Sequence, residues 1–525
     1  MNKPKIKIVF IFLLIALTLK TDYRLDTGIY CCKDDHDYYA HAETVAIDFD
    51  FDYSNQFEGN EDARFFYNNK SAPSAFFGSG LLASPFLFLG NILDLIFTTS
   101  ELFNFKIMMY SFSSVFYLFF SFFLINKIKL ILNSDVSSYL LYLFFLGTGI
   151  SFYAFERYSM SHVYEAFTIL LLIYLSLKFY LNKKKKKTNA FLIPIAVVLS
   201  VITRWVNVYA LIIPLIVKLL TVNKSDKLSK YSVFWLSVGL SVGIFCAHSY
   251  LIYGVVTFNP ELLYKTSGTL ESFISSHTST FSFMMTNFKN FFNILFTFEF
   301  GILWFSPIIF FSFYLTIKNT FLSENTVNTK LAYFLSMLCF AQIFSLVLLW
   351  KSTASSYGFR YVMNLAPLAI FLLLISKNIS KVEIRYLKYM SLFSFFSTLF
   401  FETTSGTQLS LEYTYNSFGK FTKFTQPTYL TGYLNSLFEF EAYLKIFAQS
   451  FLGFFFFSII LQFLDIVEFT ELLTKISSAA YNEDLQILLN KISRIEFYKV
   501  AFSVVIIYIL CVFLIKNTNY ENNRQ

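Results

Sequence analysis

Apolar runs long enough to cross a lipid bilayer recur from one end of the chain to the other, and they constrain the fold more than any other feature. A membrane-spanning helix needs about 20 mostly apolar residues, so 525 residues can supply about a dozen spans with polar loops left over. Hydrophobic residues make up 56% of the chain and charged residues only 14%, whereas soluble domains have about 25% charged residues. The sequence therefore predicts an all-α polytopic membrane protein.

Basic residues cluster in the short segments between the apolar runs, and they predict the orientation of the spans. Cytoplasmic loops are enriched in Lys and Arg, so the run Lys183 to Lys187 and the other basic loops are placed inside. The net charge of +8 is then a topological signal, and no nucleic-acid partner is expected. The resulting scheme has about thirteen spans, near residues 1–20, 107–126, 137–155, 162–181, 188–203, 206–221, 232–253, 292–317, 330–350, 361–376, 386–402, 447–465 and 498–515.

The spans divide the chain into four parts, with no soluble domain and no internal repeat expected. These parts are a signal-anchor helix (1–20), a first non-cytoplasmic loop (21–105), a transmembrane bundle (106–402), and an outer loop with C-terminal transmembrane helices (403–525).

The apolar stretch 78–97 is interrupted by Gly80, Pro85 and Gly90, and the orientation scheme requires it to return to its own side of the membrane. We therefore expect a juxtamembrane or re-entrant helix there. The segment 466–497 predicts an amphipathic helix in the membrane interface.

The densest group of ionisable residues lies in the first outer loop, where Asp34, Asp35, His36 and Asp37 are consecutive. A carboxylate at the membrane surface can act as general base for an acceptor hydroxyl or amine while a lipid phosphate leaves. Asp and His side chains can equally bind a divalent metal, although the chemistry does not require one, and no cofactor is predicted. The structural alternative is a solvated acidic loop.

Two other features of this loop carry structural expectations. The acidic run Asp48 to Asp52 alternates with Phe residues, which predicts a strand or an extended edge. Cys31 and Cys32 are adjacent, and they form either a strained vicinal disulfide or two free thiols. The remaining cysteines lie in apolar runs, where a free Cys behaves as a small hydrophobic residue.

A second group of ionisable residues lies in the outer turn between two predicted spans. Arg157 suits bidentate phosphate binding, and His162 can donate a hydrogen bond to the same anion. Ionisable residues at membrane depth are costly, so they are functional candidates. The structural alternative is an ion pair between Arg157 and the adjacent Glu156 at the water interface.

Other basic residues extend this set of candidate anion-binding groups. Arg204 lies between two short predicted spans with no acidic neighbour in sequence, and Tyr357 and Arg360 end a glycine-containing turn before the next span. Lys70 precedes the predicted juxtamembrane helix. Each cation can hold a phosphate, or it can anchor the chain at the membrane interface.

The order of these features resembles the GT-C glycosyltransferases, in particular the bacterial relatives of protein O-mannosyltransferases and of the lipid A aminoarabinose transferase. The resemblance covers roughly residues 1–400. This sequence departs from the family pattern at Trp205, where Pro is common, and it lacks the usual His before the juxtamembrane helix. The matching positions are Asp34, Asp35 and Tyr39, the run 48–55, Asn69 and Lys70 followed by 80–86, then 159–162, Thr203 and Arg204, 301–307 and 357–360.

The resemblance implies a GT-C-like bundle and an inverting transfer of a sugar from a polyprenyl-phosphate carrier, on the non-cytoplasmic face. The acceptor in such proteins is a lipid, a glycan or a protein. Either Asp35 or Asp34 matches the acidic catalytic position, because the acidic run aligns in two registers. The candidate substrate-binding residues are Lys70, Arg157, His162, Arg204, Tyr357 and Arg360.

Two other functions are also compatible with intramembrane arginines. A transporter or flippase for a lipid-linked saccharide needs cations in a cavity, but the large acidic outer loop argues against it, and paired broken helices are not evident in the sequence. A polysaccharide polymerase or ligase would carry a late outer loop, which here has few cationic residues.

Overall fold

The computed structural model describes the main part of the predicted bundle and much of the first outer loop. The predicted elements at 1–20, 403–446, 447–465, 466–497 and 498–515 lie wholly or largely outside the described residues. The described residues are 33–57, 65–67, 70–97, 105–155, 157–181, 187–221, 231–256, 291–292, 294–296, 301–350, 360–376 and 379–404, with short pieces between 447 and 516.

Helices occupy most of these residues, because a helix satisfies its backbone hydrogen bonds internally where lipid offers no partner. Short 3-10 segments, Trp205–Leu211 and Arg360–Leu365, precede the helices that begin at Ile213 and Ala366. The helices are α1 (Lys33–Glu43), α2 (Phe77–Ile96), α3 (Phe105–Leu132), α4 (Ser138–Phe155), α5 (His162–Leu181), α6 (Lys187–Thr203), α7 (Ile213–Thr221), α8 (Tyr231–Tyr253), α9 (Ile302–Phe305), α10 (Pro307–Ile317), α11 (Val327–Trp350), α12 (Ala366–Ile375) and α13 (Lys381–Thr404).

Six helices of the described part are long and apolar enough to cross a membrane, namely α2, α3, α4, α5, α8 and α11. Shorter apolar helical segments occupy 191–203, 205–221, 307–322 and 360–375, where short or adjoining spans are predicted. The chain is therefore a multi-pass, mainly helical membrane protein, as its hydropathy predicts. The count of about thirteen spans stays a prediction.

The core of the bundle is built from aromatic side chains and small polar ones. Phe122, Phe144 and Phe145 are fully buried. The hydroxyl groups of Tyr164 and Ser113 lie 2.6 Å apart in a hydrogen bond between α5 and α3. Small hydroxyl residues let membrane helices approach closely and give buried tyrosines a partner, so the frequent Phe and Tyr are packing residues.

The charged residues at the helix ends fall into two groups. On one side, Lys129 donates to Ser138 at 3.4 Å, and Lys318 lies 3.3 Å from Glu383. We call this side the lysine end. The opposite side carries Arg157, Arg204 and Arg360 at the starts and ends of helices, and we call it the arginine end.

Helix α2 is continuous through the predicted break points. Pro85 lies inside it, and the glycines are places of close approach. A Cβ atom on Gly80 would lie 2.4 Å from the Cβ atom of His41 and 2.8 Å from the backbone nitrogen of Ala42. Only glycine lets α1 lie this close to α2.

Both ends of α2 contact the arginine end. Gly78 lies against the backbone of Thr203, the last residue of α6. Near the other end, the Asp94 carboxylate accepts the backbone N–H groups of Phe105 at 2.7 Å and Lys106 at 2.9 Å, which open α3. Because α2 is long and apolar enough to cross a membrane, the juxtamembrane or re-entrant position expected from the sequence stays a prediction.

Replacing Gly80 with Ala should lower the free energy of unfolding by about 1–3 kcal/mol, because the added methyl group overlaps the backbone of α1. Replacing Gly with Ala normally stabilises a helix by about 1 kcal/mol, and the cost of the overlap at Gly80 should be larger than this gain. Gly239→Ala is the matched control, since a Cβ atom there meets nothing within 4 Å. Thermal unfolding in detergent should separate the two variants, and equal stabilities would contradict the contact.

The loop between α1 and α2 is not the extended edge that its acidic alternation predicts. Residues Thr44–Asp48 form a π-helical turn, and Phe49 has a left-handed backbone with φ of 58°. The Asp50 and Asp52 carboxylates each accept the N–H of the residue two positions on, at 3.1 Å. Asp favours such local turns over strand pairing, which explains why the strand prediction is wrong here.

A two-stranded antiparallel sheet follows that turn, and the sequence analysis did not predict it. The strands are β1 (Phe65–Tyr67) and β2 (Lys70–Ala72), with Phe65 opposite Ala72. This small sheet precedes α2.

Candidate functional site

A buried ion pair joins α1 to the turn between α4 and α5. Asp35 lies in the first turn of α1 and is 2% exposed. Its Oδ2 atom lies 3.1 Å from Nη2 of Arg157. The pair brings together two sequence-predicted residues that are far apart in the chain. Arg157 was expected to bind phosphate or pair with Glu156, and its carboxylate partner here is Asp35; Glu156 lies outside the described residues.

A second buried cluster surrounds Glu165 in the first turn of α5. Its Oε1 atom accepts the Ser161 hydroxyl at 2.7 Å and Nη1 of Arg204 at 3.2 Å, and lies 3.4 Å from Nδ1 of His162. Glu165 is 0% exposed and Arg204 is 5% exposed. The sequence offered Arg204 no acidic neighbour, whereas the fold supplies one from another helix.

The ring of Tyr361 lies between two arginines. The Cζ atom of Arg204 is 4.8 Å from the ring centroid, and that of Arg360 is 5.1 Å from it. Nη2 of Arg360 also donates to the Tyr361 hydroxyl at 3.1 Å. Guanidinium groups on an aromatic face are stabilised by cation–π attraction. The Tyr361 ring thus holds two positive guanidinium groups near each other, and the two charges repel.

The segments that carry these two arginines resemble each other. Each has Arg, an aromatic residue and Val at the start of a 3-10 segment, and Pro-Leu in the helix after it. The two are joined by a hydrogen bond from Asn364 Nδ2 to Asn207 Oδ1 at 2.8 Å, and the Tyr209 hydroxyl donates to the Asn364 carbonyl. These hydrogen bonds between the two segments help to set the spacing of Arg204 and Arg360.

His41 ties α1 to the segment before α2. Its Nε2 atom lies 2.9 Å from the Ala75 carbonyl, which can only accept, so this nitrogen carries the proton. Nδ1 therefore accepts the Tyr53 hydroxyl at 2.7 Å. Burial lowers the pKa of His41 to about 3, so the ring stays neutral at ordinary pH.

The sequence-predicted residues thus fall into two sets. Asp35, Arg157, His162, Arg204 and Arg360 meet at the arginine end, where the positive charges of the three arginines act on His162.

The remaining candidates are not placed in this group. Lys70 is on β2, and its Nζ atom donates to the Leu251 carbonyl at 3.1 Å, near the end of α8. Asp34 belongs to α1, but its side chain lies outside the described part of the structure, as do Tyr357, Cys31 and Cys32.

The acidic loop does not assemble a metal site in the part of the chain that the structure describes. No three His, Cys, Asp or Glu side chains there come together as a ligand set. His36 packs edge-on against Phe57, with ring centroids 5.4 Å apart. Asp37 accepts both the backbone N–H of Ser74 at 3.1 Å and its hydroxyl at 2.9 Å. These contacts join separate parts of the first loop to each other.

Two central residues were not selected from the sequence as site residues. Glu165 is a carboxylate inside an apolar run, one helical turn after His162, and that position is the signal that singles it out. Tyr361 directly follows Arg360, and an aromatic residue beside a helix-opening arginine carries no specific sequence signal.

The chain matches no protein family model, no curated protein and no solved structure.

Proposed function

We propose that this protein is an inverting membrane glycosyltransferase that moves a sugar from a polyprenyl-phosphate donor to a lipid, glycan or protein acceptor. The main support for the proposal is that Asp35, Arg157, Arg204 and Arg360 lie together at one end of an apolar bundle. An inverting transfer needs one base on the face opposite the leaving group and cations for the departing phosphate. This group of side chains contains both.

The same proposal gives the resting ion pair a role. A carboxylate bound to an arginine is a poor base, because the positive charge stabilises its ionised form. The negative charge of a donor phosphate bound nearby, at Arg204 and Arg360, offsets part of that positive charge, and the proton affinity of Asp35 then rises. Donor binding and activation of the base are therefore coupled in the proposed mechanism.

Arg204 and Arg360 are the proposed phosphate ligands. Their spacing is set by the shared Tyr361 ring and by the Asn207–Asn364 hydrogen bond. Two guanidinium groups held near each other repel, and an anion between them removes the repulsion. His162 contributes a hydrogen bond to the substrate in this proposal.

The proposed orientation follows from charge. Lysines such as Lys129, Lys218 and Lys318 lie at the lysine end, which the positive-inside rule assigns to the cytoplasm. The arginine end then faces outward. We place the protein in a bacterial inner membrane, with its active site on the outer face and with membrane lipids around the bundle.

A panel of polyprenyl-phosphate sugars tests the proposal directly. The purified protein in lipid should be thermally stabilised by one of them and should hydrolyse it slowly without an acceptor. Polyprenyl phosphate without sugar controls for binding of the carrier alone. If no carrier sugar stabilises the protein, while intact lipid-linked oligosaccharides cross the bilayer in vesicles that contain it, the protein is a flippase and the proposal is wrong.

A further inference from the structure

The two oxygens of the Glu165 carboxylate have different surroundings. Oε1 carries the contacts with Ser161, Arg204 and His162. Oε2 is equally buried, yet it accepts no hydrogen bond from any residue that the structure describes. A buried acceptor without a donor costs free energy, so such an atom normally has a water or a ligand against it.

The neighbouring Nδ1 atom of His162 supports the same reading. It is buried, and within the described residues it makes no hydrogen bond of ordinary geometry, although Oε1 of Glu165 lies 3.4 Å away. Two polar atoms without hydrogen bonds therefore belong to neighbouring side chains at the arginine end, where α5 begins. They offer a polar ligand a place to bind inside an apolar bundle.

The net charge of the surrounding residues indicates what kind of ligand can bind there. Among the described residues, this group contains three arginines, Arg157, Arg204 and Arg360, and only two carboxylates. A ligand cation at Glu165 would be repelled by the excess positive charge. A neutral hydroxyl can donate to Oε2 without that cost, and a hydrogen bond to a charged acceptor is among the stronger ones.

We propose that Glu165 binds a hydroxyl group of the substrate through Oε2 and thereby determines which sugar or acceptor is used. The inference rests on the proposed function and adds a specificity residue to it. The hydroxyl belongs either to the donor sugar or to the acceptor, and both present the same O–H donor.

Fluorine-for-hydroxyl analogues test this contact, because fluorine cannot donate a hydrogen bond. In the wild type, replacing one particular hydroxyl of the donor sugar or of the acceptor should weaken binding about 10- to 100-fold. In Glu165→Gln, the amide NH₂ replaces Oε2 and can donate to fluorine, while the amide oxygen still accepts from Arg204. In this variant, the same fluoro analogue should bind less than about threefold more weakly than the hydroxyl compound. If Glu165 were only structural, the fluorine penalty would be the same in the wild type and in Glu165→Gln.

Control variants separate specificity from folding. Glu43→Gln also removes a carboxylate from an ion pair, with Lys106 at 2.7 Å, and should keep the wild-type discrimination. If Glu165→Gln is not recovered from the membrane, Glu165→Asp replaces it, because it keeps the charge beside Arg204 and withdraws the carboxylate by one methylene. In Glu165→Asp, the difference in binding between the hydroxyl compound and its fluoro analogue should also be smaller than in the wild type.

The inference is overturned if the fluorine penalty is the same in the wild type and in the Glu165 variants, or if no hydroxyl replacement on donor or acceptor is penalised. Binding of sugar-free polyprenyl phosphate depends on the phosphate site alone, and it should not be weakened in Glu165→Gln, because Arg204 keeps its charge and loses a competing carboxylate. If no polyprenyl-phosphate sugar binds the wild type, the proposed function fails, and free monosaccharides with their fluoro analogues then test Glu165 independently.

Discussion

Arg204→Met is expected to be the most destabilising substitution in the bundle, lowering the free energy of unfolding by about 3–5 kcal/mol. The reason is its partner: Glu165 is 0% exposed, and without Arg204 its charge is buried without compensation. Lys318→Met is the control, since its pair with Glu383 is partly exposed and such pairs contribute at most about 1 kcal/mol. Unfolding in detergent, followed by temperature or denaturant, measures both.

A second substitution shows whether Arg204 does more than balance Glu165. The double variant Arg204→Met/Glu165→Gln has no unpaired buried charge, so it should recover most of the lost stability. Its transfer activity should stay about 10²- to 10³-fold below that of Glu165→Gln alone, because the cation for the leaving phosphate is missing. If the double variant is as active as Glu165→Gln, Arg204 only neutralises a carboxylate and does not act on the phosphate.

The helices were predictable from the sequence because lipid leaves a spanning chain almost no alternative. The predicted runs at 107–126, 162–181 and 232–253 all lie within helices of the structure, the first two in α3 and α5. Helix ends were less predictable. Pro85 and the glycines interrupt the apolar stretch in the sequence, and the structure has one continuous helix there that uses Gly80 as a contact.

The partners of the charged residues were not predictable, since pairing depends on which helices pack together. Arg157 was expected to pair with its neighbour in sequence or with a phosphate, yet the fold brings Asp35 to it. Arg204 is joined to Glu165, 39 residues away. Hydropathy indicates which segments are buried, but contacts between distant helix ends require the three-dimensional arrangement.

The choice between Asp34 and Asp35 also depended on the fold. Both match the acidic position of the family that the sequence resembles. Adjacent positions on a helix do not share a face, so the two are not equivalent on α1. Within the described residues, the Asp35 carboxylate lies 3.1 Å from Nη2 of Arg157. We therefore assign the role of base to Asp35 in the proposed mechanism.

Asp35→Asn should lower transfer by about 10²- to 10⁴-fold, the usual contribution of a general base. Asn has the shape of Asp but cannot take up a proton from the acceptor. Because this change leaves Arg157 without its carboxylate, the protein recovered from the membrane must be measured with the rate. The double variant Asp35→Asn/Arg157→Gln restores the charge balance and should be stable and inactive.

Two further variants decide the assignment. Asp34→Asn should retain most of the activity, and Glu43→Gln controls for the loss of another ion pair on the same helix. Asp34→Asn/Asp35→Asn should be as inactive as Asp35→Asn alone, since one base is enough for an inverting transfer. Loss of activity in Asp34→Asn with retention in Asp35→Asn would move the base to Asp34. Undiminished transfer in the double Asn variant would remove both carboxylates from the chemistry and leave the Asp35–Arg157 pair a structural one.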